Sequence, residues 1–273
     1  IISLFEPGVF VCHQLKDFSR NYKFEELLNT KRFDYQWLID NKLHAVSNGR
    51  FWYLDSLNHW SKLDYKLPFD KQPKLYENND YLAYCDCHGE WGGTVYFYNR
   101  KTEETYFTEA TCANSIIESK NGFQVLSHLG HMMGTADLKL IKDPTKLTNL
   151  KGFKSTTFNG SALGYADSTK QDVKLFDYWG LQIFSSFRLS GQTYYIIYFQ
   201  DRTFLATIEN NNITIVDPLF NSDLYTHDPI SIQYGDDLIL INLDFWGIGR
   251  EREVSMIVIQ DKEILKLDWN KKH

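Results

Sequence analysis

The segment Cys85-Asp86-Cys87-His88 sets two thiols, a carboxylate and an imidazole at four consecutive positions. Zinc takes three or four such ligands in tetrahedral reach, and His128 or His131 would have to complete the set. An extended backbone turns Cys85 and Cys87 to one face and Asp86 and His88 to the other, so only one pair can address a given ion. Neither C-x2-C nor H-E-x-x-H occurs in the chain. The spacing therefore predicts no metal site, and no motif calls for a cofactor.

Covalent and acid–base catalysis find equally little support. Gly-x-Ser-x-Gly is absent, and no Ser or Cys is matched to a His by spacing. Glycoside hydrolysis needs carboxylates converging from different elements. Asp34, Asp80, Asp86, Glu118 and Asp236 qualify by residue type alone, and each reads more simply as a turn former, since Asp satisfies turn backbones. Gly89, Gly92 and Gly93 lie between strands, with no helix N-terminus behind them to hold a phosphate. No catalytic residue is assigned.

The elements that carry these residues are strands and turns. The clearest unit is Tyr81–Cys87, the turn His88–Gly93 and Thr94–Tyr98, followed by a short strand at Thr105–Thr108. The plan recurs in Phe123–His128, the turn Leu129–Gly134 and Thr135–Ile141, where Gly134-Thr135 answers Gly93-Thr94. It returns in Leu238–Leu243, Asp244–Gly249 and Ser255–Ile259. Weaker copies are Leu43–Val46 with Phe51–Leu54, and Tyr194–Phe199 with Phe204–Ile208 and Ile213–Val216. A stranded repeat of ~40–50 residues is the signature of propeller blades. A lone blade cannot bury both faces, so closure into a ring supplies the shared core.

The chain thus resembles β-propeller repeat proteins in general, over roughly 43–268, without the Trp-Asp or double-glycine signatures of named repeat families. The resemblance implies an all-β, single-domain β-propeller spanning 1–273, with five blades over 43–268. Residues 1–40 would add a closing strand and a cap with one short helix near Phe24, Leu27 and Leu28. Six blades is the alternative, with 150–173 as a long loop or the remnant of the sixth. A two-sheet β-sandwich would also use the same alternation; the recurring turns favour the propeller.

In an up-and-down blade the turns between second and third strands emerge at one end of the ring. That rim would gather Asp86, His88, Glu90, Trp91, His128, His131, Met132, Met133, Asp244, Phe245, Trp246, Arg250, Glu251 and Arg252. Aromatic, Met and Arg side chains with few lysines are the composition of protein-binding hot spots. From these, Asp86, His88, Glu90, Trp91, His131, Asp244, Trp246, Arg250 and Glu251 are assigned to partner binding, with Trp91 and Trp246 as anchors.

Composition narrows the partner. The 29 Lys and Arg against 35 Asp and Glu leave a formal net charge of −6. Nucleic-acid binding would call for a basic excess, whereas an acidic surface suits a basic protein. No apolar run approaches the ~18 residues that a membrane span needs. The four cysteines form no secreted disulfide pattern and read as four reduced thiols, which points to the cytoplasm. Acidic, aromatic-rich domains without catalytic motifs resemble, by type, the immunity proteins that neutralise secreted bacterial toxins, particularly basic nucleases. The expected function is non-catalytic protein binding of that kind. The alternative is a glycoside hydrolase or carbohydrate-binding propeller, since exposed aromatic faces beside Asp and Asn suit sugars.

Overall fold

The structure, a computed structural model, describes residues 1–130, 133–153, 168–200, 202–220, 229–245 and 253–268. It is nearly all β. Five antiparallel sheets follow one another along the chain and are arranged as a five-blade β-propeller. The chain divides into two compact units, Ile1–Pro73 and Lys74–His273.

The first unit opens with a two-stranded hairpin, β1 (Ile2–Phe5) and β2 (Val9–Cys12), and a short helix α1 (Tyr22–Leu28). The side chain of Asn21 caps the helix by accepting from the Phe24 amide. Glu25, buried on α1, accepts from the Cys12 amide at 2.9 Å and pairs with Arg20 at 2.8 Å. Blade I follows as β3 (Tyr35–Ile39), β4 (Lys42–Ser47), β5 (Arg50–Leu54) and β6 (Trp60–Lys62). Phe10, Leu28, Phe33, Leu43 and Ala45 form the core of this unit. Blade I thus begins at Tyr35, and among the described residues β1 and β2 pair with each other as a separate hairpin.

The second unit holds four blades. Blade II is β7 (Lys74–Glu77), β8 (Tyr81–Cys87), β9 (Gly93–Asn99) and β10 (Glu104–Glu109). Blade III begins with β11 (Ala113–Ser119), β12 (Gly122–Leu129) and β13 (Thr135–Ile141). The chain then leaves it to lay β14 (Thr148–Asn149) on the outer edge of β10, and returns as β15 (Asp172–Trp179) on β13. Of the 150–173 stretch, residues 154–167 lie outside the described residues. Blade IV is β16 (Gln182–Leu189), β17 (Gln192–Phe199), β18 (Arg202–Glu209) and β19 (Asn212–Phe220). Blade V is β20 (Ile230–Tyr234), β21 (Leu238–Phe245), β22 (Glu253–Gln260) and β23 (Glu263–Asp268).

Strand alternation explains how these blades share cores. Successive side chains point to opposite faces, and in a blade both faces meet a neighbour. On β12, Phe123 and Val125 join the core between blades II and III, while Leu126 joins the one between III and IV. On β17, Tyr195 and Ile197 face blade III and Ile196 faces blade V, where Ile239, Ile241 and Ile257 meet it. A strand covered on both faces reads as a continuous apolar run, which is what Leu82-Ala83-Tyr84-Cys85 and Val95-Tyr96-Phe97 are. Where the first strands of blades III and IV meet, the side chains are small and polar. The Ser115 and Ser186 hydroxyls lie 2.8 Å apart, and the Asn114 amide donates to the Ile183 carbonyl at 3.0 Å. Such pairing satisfies polar groups that burial would otherwise penalise.

Candidate protein-binding surface

The turn joining β8 to β9 is built from the bottom up by Asp86. Its carboxylate accepts from the Thr94 amide at 2.8 Å and the Tyr96 hydroxyl at 2.7 Å, and stands 3.5 Å from His88 Nε2. Both oxygens thus serve the frame of the turn. Above them, Gly89–Trp91 form one 3-10 turn, closed by His88 N–H donating to the Gly92 carbonyl at 2.8 Å. That short helical turn lifts Glu90 and Trp91 into solvent, leaving Trp91 45% exposed. Trp91 is therefore not wedged between blades.

The turn is locked to its neighbour. Gly93 starts β9 against the connection between blades: a Cβ there would stand 2.6 Å from the Asp86 carbonyl and 2.7 Å from the Ala110 carbonyl. The Ala110 amide donates to Gly93 O at 3.0 Å, and the His128 amide donates to Cys112 O at 3.1 Å. Cys87 and Cys112 form a disulfide with Cα atoms 4.4 Å apart. The expectation of four reduced thiols is corrected by this bond; Cys12 and Cys85 are buried thiols outside it, and the Cys85 thiol donates to the Ala113 carbonyl at 3.2 Å. Cys85, two residues from Cys87 on the same face of β8, is not its partner. The partner lies on the segment entering the next blade, a proximity that spacing alone does not reveal.

Blade III repeats the arrangement. His128 is buried, its Nε2 3.4 Å from Gln182 Oε1 and its ring edge against Phe184, so it belongs to the packing rather than to the exposed rim. Gly134, at φ +79°, sits against the Gln182 side chain, and its carbonyl accepts from the Gly180 amide at 2.9 Å. This crossing exposes Met133 by 69% and Trp179 by 80%. The sequence reading missed Trp179; its one signal is a position beside Gly180 at the boundary between blades III and IV.

The structure therefore brings His88, Glu90, Trp91, Met133 and Trp179 to one end of blades II and III. Asp244 lies near the end of β21, paired through its backbone with Val254. His131, Met132, Trp246, Arg250, Glu251 and Arg252 lie outside the described residues. Among the described residues, no three His, Cys, Asp or Glu side chains gather for a metal ion. The carboxylates considered for hydrolysis are dispersed. Asp34 accepts from the Asn48 amide, Asp80 pairs with Lys101, Glu118 accepts from the Tyr76 hydroxyl, and Asp236 occupies the exposed turn before β21. No helix among the described residues is long and apolar enough to cross a membrane.

Models of known protein families find no match to this chain, and no curated protein matches it.

Proposed function

We propose that this chain is a non-catalytic binding protein that grips a basic protein partner with the end of blades II and III. One observation carries the reading: Trp91, Met133 and Trp179 are exposed there on a frame fixed by Gly93, Gly134 and the Cys87–Cys112 bond. Large apolar side chains held rigidly lose little conformational freedom on binding, which is what hot-spot anchors require. Glu90 and the net charge of −6 favour a cationic partner. Neutralisation of a secreted basic toxin is the particular form this binding takes in our reading. The cytoplasmic expectation rested on reduced thiols. With a disulfide formed, we place the protein where disulfides persist, in an oxidising compartment.

The test is capture of partners at physiological salt by the wild-type protein and by a Trp91→Ala/Trp179→Ala variant. We expect one stoichiometric basic polypeptide on the wild type and at least a tenfold loss on the variant, the scale of a hot-spot truncation of about 1.4 kcal/mol or more. Equal capture by both proteins removes this surface from the mechanism.

A further inference from the structure

Among the described residues, no further strand is added to β19, the outer strand of blade IV. An outer strand presents unpaired N–H and C=O groups, and proteins blunt such edges with short strands, added strands or charges. Blade I ends in the three-residue β6, closing on Lys62. The outer edge of blade II carries β14. β15 bears Asp172, Lys174 and Asp177, and β23 bears Glu263, Lys266 and Asp268. β19 is nine residues long; Asp217, Pro218 and a register shift at Val216 interrupt its C-terminal half, whereas Asn210–Ile215 contains neither charge nor proline. Residues 211–218 are all exposed, with Ile215 at 55% and Val216 at 51%.

The turn before it fixes which groups face outward. Asn210 and Asn211, at φ +50° and +64°, make a two-residue hairpin turn, whose flanking pair Glu209–Asn212 is hydrogen-bonded. Ladder pairs alternate from there. With Ile208 opposite Ile213 and Thr207 opposite Thr214, Asn212 and Thr214 bond inward to β18, while Ile213 and Ile215 turn their N–H and C=O groups away from the sheet.

We propose that β19 pairs antiparallel with β19 of a second copy, about a two-fold axis at Thr214. In that register Ile213 meets Ile215 of the second copy as a hydrogen-bonded pair, and Ile215 meets Ile213, while Thr214 meets itself. The register shift at Val216 ends the regular ladder there, so the pairing is confined to Ile213–Ile215, which carries no charge, and no like charges are opposed. β-Branched and Thr–Thr cross-strand pairs stabilise such contacts. The outward groups are symmetric about Thr214, so the edge is complementary to itself, and the isologous pair closes without leaving a further edge to propagate. Its site differs from the surface at blades II and III, and its salt dependence is opposite. Screening the −6 charge on each copy strengthens this association, whereas binding of a basic partner weakens.

Sedimentation velocity of the wild type, Thr214→Lys and Thr214→Glu proteins tests the pairing. A single strand pair buries little area, so the wild type is expected to pass from monomer to dimer across about 1–500 µM. Each variant sets like charges opposite each other and is expected to associate at least tenfold more weakly. Their equimolar mixture sets Lys opposite Glu and restores the dimer. A wild type that stays monomeric throughout, or variants that associate like it, overturns the proposal. A mixture that stays monomeric while the wild type dimerises overturns the register.

Discussion

Asp137 on β13 shows how far a single residue's surroundings can oppose its charge. Burial pushes its carboxyl up to about 6 against the pull of Lys139 and Lys174, and among the described residues its Oδ2 has no hydrogen-bond partner. The folded chain therefore holds this proton at pH values where the unfolded chain, titrating near 3.8, has released it. Stability from this group is present below about pH 4 and is lost as pH rises through about 6, a loss on the order of 2–3 kcal/mol. Asp137→Asn is expected to be more stable than wild type at pH 7 and to flatten the profile between about pH 4 and 6, as read by urea unfolding across that range. Asp86 is the opposite case, a carboxylate with each oxygen placed on a donor of its own turn. Residue type flagged both as acidic, but their roles depend on what crosses over from neighbouring strands. Trp179 was hidden for the same reason, since nothing in its local pattern separates a core tryptophan from one that is 80% exposed.

At the scale of elements, the turns were the legible feature. The recurrence of Gly-Thr at 93–94 and 134–135 marks the entry to the third strand in two blades, and in both the glycine is where the backbone passes against the next connection. Gly93→Ala pushes a Cβ onto two carbonyl oxygens, at 2.6 and 2.7 Å. We expect it to cost more than about 2 kcal/mol, because neither backbone can yield alone. Gly191→Ala is the comparison: open space surrounds it, and only its φ of +82° opposes a side chain, so about 1 kcal/mol is expected. Chemical denaturation of the two variants separates the effects. Less legible was β3. Tyr35–Ile39 follows a helix and short strands, so its segment read as part of a cap, and only its pairing with β4 identifies it as the first strand of a blade. The excursion that puts β14 on blade II was also invisible, because two residues carry no periodicity.

At the scale of the whole molecule, repetition made the number of blades readable, since the inner strands that feed two cores repeat one pattern. What joins neighbouring blades was not readable, because those contacts link residues whose separation no repeat encodes. The Cys87–Cys112 bond spans 25 residues of sequence, from the end of β8 to the residue before β11, and so ties the exposed turn of blade II to the entry of blade III. Closing a loop of that length removes unfolded-state freedom worth about 3 kcal/mol. Alkylation of the denatured, unreduced protein should label Cys12 and Cys85 and spare Cys87 and Cys112, as mass spectrometry of the peptides would read. The Cys87→Ser/Cys112→Ser protein should then lose about 3 kcal/mol in denaturant unfolding and no longer respond to reductant. Its partner capture should weaken further than the stability loss alone explains, because Trp91 would stand on a turn no longer tied to the next blade. Labelling of all four cysteines in the unreduced wild type would refute the bond, and with it the oxidising compartment inferred from it.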